Sequence, residues 1–369
     1  MIRQPEEQDN EDLFIPPTEG IKYAGSKLKI IPFILRAVSD LKGVRSVLDG
    51  FTGSTRVAQA FAQLGYDTTA NDVAVWSEVF ANCYLKSEQS DGYYQEILDE
   101  LNALKGYDGW FTENYGGGPD DSKKPFQIRN TRKLDAIRNE IEKYNLPFVD
   151  KCVVLTSLIY AMDEVDSTLG HYVSYLSEWS PRSFNEMKLK LPKRFKRTSD
   201  NRVIRDDIFN TIKNNFCDLA YFDPPYGSNN EKMPPSRVRY NSYYHIWTSV
   251  ILNDTPRLFG KANRREDSKD TVNPSVFEDY RKDGDGRFVA MKAMERLIKE
   301  TNARYILLSY GSGGRTTKRD LSDIIEANGK LIKMFDIDYK RNVMSNMTST
   351  NEWTNRDEKY KEYLFLIEK

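Results

Sequence analysis

The chain has 369 residues, of which 39% are hydrophobic, 12% aromatic and 30% charged. Its length exceeds what one compact core usually serves, and its 22 Tyr and 18 Phe exclude a disordered chain. The 54 Lys and Arg nearly balance the 55 Asp and Glu, which argues against a nucleic-acid binder coated in positive charge. The 3 cysteines are far apart, which argues against a disulfide framework or a zinc knuckle and favours a reducing cytoplasm. No apolar run approaches the ~20 residues that cross a bilayer, so we expect no membrane contact.

The chain begins with an acidic segment and continues into alternating helix and strand. Residues 1–20 are predicted to be a loosely docked acidic tail. Apolar residues at helical spacing predict a helix over Lys29–Leu41. Ser46–Asp49 is predicted to be a strand, followed by a glycine turn, a helix and a second strand over Asp67–Val73. This order is the opening unit of a doubly wound α/β sheet.

The middle of the chain has a different pattern. Helical periodicity dominates residues 87–201, which end in a basic stretch, and we interpret this region as an insertion. Strands resume at Val203-Ile204 and Asp218–Phe222, and three later strands are predicted over residues 304–309, 330–337 and 363–367. The expected architecture is therefore an α/β domain built from residues 21–86 and 202–369, with a mainly helical insertion between its two parts.

The most specific motif follows the predicted strand Asp218–Phe222 and reads Asp223-Pro224-Pro225-Tyr226. The carboxyl ends of strands are where open α/β sheets bind ligands. The prolines fix the backbone, so Asp223 and the Pro224 carbonyl project as rigid acceptors beside the flat ring of Tyr226. Two acceptors and a stacking ring suit a planar heterocycle with an exocyclic amino group. The alternative is a proline turn after a strand, with an Asp there by chance.

Two further segments point to a ligand at the same sheet edge. Asp49–Thr55 is a glycine turn between strand and helix, and Asp72 follows the next strand, where ribose hydroxyls are usually held. In isolation, Asp72 is equally consistent with a helix cap. Lys22–Lys27 combines two lysines with an aromatic residue and a glycine, which suits a bound carboxylate, although such a segment is most often a solvated loop.

Together these segments resemble the amino-adenine DNA methyltransferases of the alpha motif order, the Dam-like group. The resemblance rests on Lys22–Lys27, Phe51-Thr52-Gly53, Asn71-Asp72, Asp206-Asp207 and Asp223-Pro224-Pro225-Tyr226, in that order. Three later segments extend it over nearly the whole chain: Leu169–Tyr172, Tyr240–His245 and Leu307–Ser312. One departure is Thr55, which replaces the second glycine of the family's Phe-x-Gly-x-Gly turn.

The resemblance implies a Rossmann-like, S-adenosylmethionine-dependent methyltransferase fold with an inserted target-recognition region and no metal. It places Tyr23 and Lys27 at the methionine end of the cofactor and Asp72 at the ribose. Asp207, or its neighbour Asp206, would accept from the cofactor's adenine amino group. The cofactor-binding residues implied are thus Tyr23, Lys27, Phe51, Gly53, Asp72, Asp207 and Asp223.

The implied reaction is methyl transfer to N6 of adenine in duplex DNA. Asp223 and the carbonyl of Pro224 would accept both N6 hydrogens and expose the nitrogen lone pair, while Tyr226 would stack on a base swung out of the helix. Two alternatives stay open: methylation of N4 of cytosine, or a non-catalytic nucleic-acid-binding module with this fold. The Asp in Asp223-Pro224-Pro225-Tyr226 favours adenine, because Ser commonly stands there in the cytosine enzymes of the group.

A local basic run supplies what phosphate binding demands despite the balanced total charge. We predict DNA contacts from Lys188, Lys190, Lys193, Arg194, Lys196 and Arg197. The competing interpretation is a solvated charged loop. Double-stranded DNA is the expected partner, and a separately encoded restriction endonuclease would act in the same system without direct contact. Such a protein would work in the cytoplasm, bacterial or phage-type, associated with the nucleoid through DNA.

Overall fold

The computed structural model describes residues 13–118, 120–121, 123–196, 198–227, 240–269, 272, 275–279, 281–338 and 360–369. The strands of the central sheet are β1 (Ser46–Asp49), β2 (Asp67–Asn71), β3 (Arg202–Ile204), β4 (Cys217–Phe222), β5 (Ala303–Gly311), β6 (Lys330–Asp338) and β7 (Lys361–Glu368). The helices are α1 (Ile31–Ser39), α2 (Arg56–Gln63), α3 (Val75–Leu85), α4 (Asp91–Ala103), α5 (Trp110–Tyr115), α6 (Ile128–Lys143), α7 (Phe148–Val165), α8 (Ile208–Asn214), α9 (Tyr240–Tyr243), α10 (His245–Leu252), α11 (Val289–Glu300) and α12 (Lys318–Asn328).

The central sheet has the strand order β6-β7-β5-β4-β1-β2-β3. Neighbouring strands are parallel except at β7, which lies antiparallel between β5 and β6. The order reverses between β1 and β4, where Asp49 pairs with Tyr221, and such a switch point opens a crevice at the carboxyl ends of the strands. The predicted doubly wound α/β fold is confirmed.

Helices cover both faces of the sheet, because its central strands are apolar on both sides. In β4, Leu219 and Tyr221 join the core that contains α1 and α2, whereas Ala220 and Phe222 join the core that contains α8, α11 and α12. The side chains of a strand alternate between its faces, so a run of buried residues serves two cores at once. This double burial fixes the register of β4 and hence the position of Asp223 just beyond it.

A third core joins α3–α7 to α10 through large side chains such as Trp76, Phe80, Leu158 and Trp247. Helices α4, α6 and α7 lie within residues 87–201, the region in which helical periodicity dominates the sequence. Helix α3 was not predicted, because 9 of its 11 residues are buried and an apolar stripe on one side is lacking. Among the described residues, no helix is both long and apolar enough to cross a membrane.

Residues 13–20 lie along α2 and are attached to it by side-chain hydrogen bonds. Arg56 donates to the carbonyl of Thr18 at 2.5 Å, and the Gln59 side chain both donates to and accepts from the backbone of Glu19 at 2.9 Å. The acidic residues of the expected tail before residue 13 lie outside the described residues. The part of that segment next to the sheet is docked.

Candidate active site

The carboxyl ends of β1–β4 open into a cavity of about 530 Å³. Its lining contains every residue predicted to bind the cofactor, together with Asp206: Tyr23, Lys27, Phe51, Gly53, Asp72, Asp207 and Asp223. Pro225 also lines it, while Pro224 and Tyr226 do not. The fold therefore brings together residues that are spread over two hundred positions of the sequence.

The glycine turn after β1 lets the backbone approach the cavity closely. Gly53 has a φ of +49°, and a Cβ added there would lie 3.0 Å from the ring of Tyr23. Thr55 also has a positive φ, 66°, so a threonine occupies the left-handed conformation that suits glycine. Its hydroxyl donates to Ser54 O at 2.7 Å and accepts from Gln59 at 2.8 Å. Thr55, the residue that departs from the family motif, thus forms its hydrogen bonds within the protein and does not line the cavity.

The carboxylates on one side of the cavity are anchored to backbone amides. Asp72 accepts from Gly53 N at 2.8 Å and from Ala74 N at 2.9 Å, and burial raises the pKa of its carboxyl. Asp207 caps α8 by accepting from Phe209 N at 2.8 Å, and Asp206 accepts from Asp207 N at 2.7 Å. Carboxylate oxygens have further lone pairs for ligand hydroxyl or amino groups. These anchors hold the acceptors in fixed positions.

Asp49 is a site residue to which the sequence analysis gave no role. One of its oxygens accepts from Thr52 Oγ1 at 2.9 Å and from Ala58 N at 3.1 Å. The other oxygen is buried and accepts no hydrogen bond from any described residue, and burial raises the pKa of Asp49 to about 7. A buried acceptor on a cavity wall fits a ligand that brings an amino group. Its position at the end of β1 was the signal that could have identified it.

A second group of polar side chains, here called the Asp223 cluster, is formed by Lys27, Asp223, Tyr226, Ser309 and Glu362. The Lys27 ammonium lies 2.8 Å from Asp223 and 3.4 Å from Glu362. The Tyr226 hydroxyl contacts Asp223 and lies 2.5 Å from Glu362, which also accepts from Ser309 at 2.7 Å. Burial raises the pKa of Asp223 to about 6, an effect that Lys27 opposes and Glu362 reinforces. Asp223 and Tyr226, which belong to the sequence motif, are thus two of the five members of this cluster.

Stacked aromatic rings attach the segment Lys22–Lys27 to the helices that follow the Asp223 motif. Tyr23 stacks on Tyr244 at a centroid distance of 4.8 Å, and Tyr244 stacks on Trp247 at 4.2 Å. His245 is fully buried, and burial lowers its pKa to about 3, so it is a neutral structural residue. Among the described residues, no group of three or more His, Cys, Asp or Glu side chains could hold a metal ion.

The basic run does not line the cavity. Arg194 pairs with Asp91 and lies 4.4 Å from the ring of Tyr94, and Lys190 pairs with Glu164 at 2.7 Å. The run leads away to the amino edge of the sheet, where Asp200 N donates to Asp67 at 3.0 Å. Arg197 lies outside the described residues, and the exposed members are Lys188, Lys190, Lys193 and Lys196.

Comparison with known proteins identifies the family. A family model described as D12 class N6 adenine-specific DNA methyltransferase matches residues 23–309. The Type II methyltransferase M.NlaIII of Neisseria lactamica is 27% identical over 358 residues, covering 95% of this chain and 99% of that protein.

Two other relatives are longer than this chain. The modification methylase StsI of Streptococcus sanguinis is 27% identical over 90% of this chain, and the Type II methyltransferase M.FokI of Planomicrobium okeanokoites is 22% identical over 95%. The chain spans about half of the length of both, 50% and 53%. The family match confirms the expected class of enzyme, and the residues that the resemblance assigned to the cofactor line the cavity. The chain belongs to the D12 class N6 adenine-specific DNA methyltransferase family.

Proposed function

We propose that this chain transfers a methyl group from S-adenosylmethionine to N6 of adenine in a specific sequence of duplex DNA. The observation that carries the proposal is the position of Asp223. Its partly buried carboxylate stands just beyond β4, on the wall of the cavity that Asp72 and Asp207 also line. Asp223 thus lies where it can accept from the amino group of a target base, next to the reactive end of a cofactor that Asp72 and Asp207 would hold.

The cavity residues match the polar groups of S-adenosylmethionine. Asp72 offers lone pairs to ribose hydroxyls, and Asp206 and Asp207 offer them to the adenine amino group. The second oxygen of Asp49 would accept from the methionine ammonium. Tyr23, Phe51 and Gly53 complete the walls around the ligand. Lys27 pairs with Asp223 and would bind the methionine carboxylate only after releasing that partner.

Adenine N6 is a poor nucleophile, because its lone pair is delocalised into the ring. Asp223 and the carbonyl of Pro224 would accept its two hydrogens and draw the nitrogen toward tetrahedral geometry, with Tyr226 stacked on the base. When bound, S-adenosylmethionine supplies the methyl group from its sulfonium, so the carbon–sulfur electron pair stays on sulfur as N6 gains the methyl. One N6 proton is released, and the carboxylate of Asp223 is the adjacent base.

We also propose how the rest of the chain serves this reaction. Residues 87–201 would form the target-recognition region. Phosphates would be contacted by Lys188, Lys190, Lys193, Lys196 and Arg197, while Arg194, which pairs with Asp91, would hold the run in place. The relatives are named modification or Type II enzymes, which supports a role in protecting DNA against a restriction endonuclease. That work would take place in the cytoplasm, on nucleoid DNA.

The test is methyl transfer from labelled S-adenosylmethionine to unmethylated genomic duplex DNA, followed by nucleoside analysis. We expect N6-methyladenine at a limited set of sites. Detection of N4-methylcytosine would show that the substrate base is cytosine and not adenine. DNA binding without any methyl transfer would favour the non-catalytic module. The same assay on single-stranded DNA checks the requirement for a duplex.

A further inference from the structure

Glu362 is a buried acid that no sequence motif identified. It lies on β7, the antiparallel strand between β5 and β6, and its side chain is 5% exposed. Its Oε1 accepts from Ser309 Oγ at 2.7 Å and from the Tyr226 hydroxyl at 2.5 Å. Burying a charge is unfavourable unless partners compensate it. The partners of Glu362 must therefore explain why a carboxylate is buried here.

Asp223 and Glu362 compete for the same two donors. The Tyr226 hydroxyl has one proton, yet it contacts carboxylate oxygens of both acids. The Lys27 ammonium likewise lies within 4 Å of both, at 2.8 Å from Asp223 and 3.4 Å from Glu362. Two acids thus share one hydroxyl proton and one positive charge, so the ionisation of each affects the other.

The present contacts leave Asp223 occupied. One of its oxygens accepts from Tyr226 and the other is paired with Lys27. The Lys27 ammonium also lies over one face of the Tyr226 ring, 5.0 Å from its centre. An adenine amino group can reach Asp223 only if the ammonium moves, and Glu362, 3.4 Å from it, can hold it together with the methionine carboxylate.

On the basis of the methyl transfer proposed above, we infer that Glu362 is a positioning residue. It fixes the Tyr226 hydroxyl and gives the Lys27 ammonium a second anion, so that Lys27 can leave Asp223 free to accept from adenine N6. Glu362 acts through these neighbours and touches neither base nor methyl donor.

The first test measures the carboxyl of Asp223 directly, without any reaction. Chain labelled with carboxyl-13C aspartate is titrated by NMR, and Asp223→Asn identifies the signal. Because the negative charge of Glu362 raises the pKa of Asp223, Glu362→Gln is expected to lower that pKa by at least about 0.5 unit. The matched control is Glu368→Gln, a half-exposed acid at the other end of β7, which should leave the signal unchanged.

The second test is the pH profile of methyl transfer. Since Asp223 must be ionised to accept from N6, kcat is expected to fall as the pH drops through its pKa, and in Glu362→Gln this fall should move to lower pH. The plateau kcat of that variant should drop about tenfold or more, with KM for S-adenosylmethionine near the wild-type value. Glu368→Gln should match the wild type in both.

An unchanged Asp223 signal in folded Glu362→Gln would overturn the inference, as would a wild-type plateau kcat with an unshifted profile. If that variant fails to fold, Ser309→Ala removes a donor to Glu362 and keeps both acids. Because Glu362 would then draw more on the shared Tyr226 hydroxyl and Lys27 ammonium, the pKa of Asp223 should rise slightly, and no movement of its signal would again overturn the inference. A wild-type chain that transfers no methyl contradicts the proposed function instead, while the titration still decides the coupling.

Discussion

The two sides of the cavity are built in different ways. On one side, Asp72 accepts from the backbone amide of Gly53, and Asp207 accepts from that of Phe209. These bonds fix both carboxylates whether or not a ligand is present. On the other, Asp223 and Glu362 are joined mainly by the side chains of Lys27 and Tyr226, and Lys27 also donates to the Gly25 carbonyl at 3.3 Å. Backbone anchors suit the binding of one unchanging ligand, whereas a side-chain cluster can exchange partners during a reaction.

The largest effect is expected at Asp223, on the side of the cavity formed by the side-chain cluster. Asp223→Ala removes the acceptor for N6, and kcat should fall by at least about 10³-fold. The fold should survive, because Glu362 still lies 3.4 Å from the partly buried Lys27 ammonium. Nucleoside analysis measures the transfer and calorimetry measures cofactor binding, which should persist. The control is Asp218→Asn, at the opposite end of β4, which should keep transfer. Near-normal turnover in Asp223→Ala would refute the assigned role.

A smaller effect, on cofactor binding and not on turnover, is expected on the side of the cavity where backbone amides anchor Asp72. Asp72→Asn replaces one acceptor oxygen by an amino group that cannot accept from Gly53 N or from a ribose hydroxyl. Loss of a hydrogen bond to a charged group corresponds to roughly a tenfold rise in the Kd for S-adenosylmethionine. At saturating cofactor, kcat should stay close to wild type. Asp67→Asn, at the start of the same strand, is the control. If kcat fell and Kd did not, the two sides would not differ as proposed.

The basic run provides a third test, because it lies away from both sides of the cavity. Changing the exposed Lys188, Lys193 and Lys196 to Glu should weaken DNA binding and flatten its salt dependence, by a slope of about 0.9 for each phosphate that is no longer neutralised. Arg194→Met is the comparison, because Arg194 pairs with Asp91 and should affect stability instead. Binding measured from low to moderate salt decides the matter. An unchanged slope in the lysine variant would assign the run to a solvated surface.

The same contrast explains how much the sequence predicted. Asp72 and Asp223 each follow a predicted strand within a short motif, so local patterns identified them, and the family resemblance added Asp207. The alternation of strand and helix predicted a doubly wound sheet but not its strand order. Glu362 was missed because its partners lie at positions 27, 226 and 309, and only the antiparallel return of β7 brings it to them. The pairing of Lys27 with Asp223 was missed for the same reason. Local motifs identify anchored groups, whereas clusters held by distant side chains require the fold.

The smallest effect is expected at Thr55, where the chain departs from its family's glycine. Thr55→Gly relieves the left-handed backbone, a gain of about 1–2 kcal/mol, but loses the hydrogen bonds to Ser54 and Gln59 and adds freedom to the unfolded chain. These terms oppose each other, so the free energy of unfolding should change by no more than about 1 kcal/mol. Cofactor Kd should stay within about threefold, since Thr55 does not line the cavity. Gly53→Ala makes the opposite change, because its φ of +49° and its contact with Tyr23 leave no room for a Cβ. It should weaken cofactor binding clearly more than Thr55→Gly, and the reverse order would show that Thr55 shapes the ligand pocket directly.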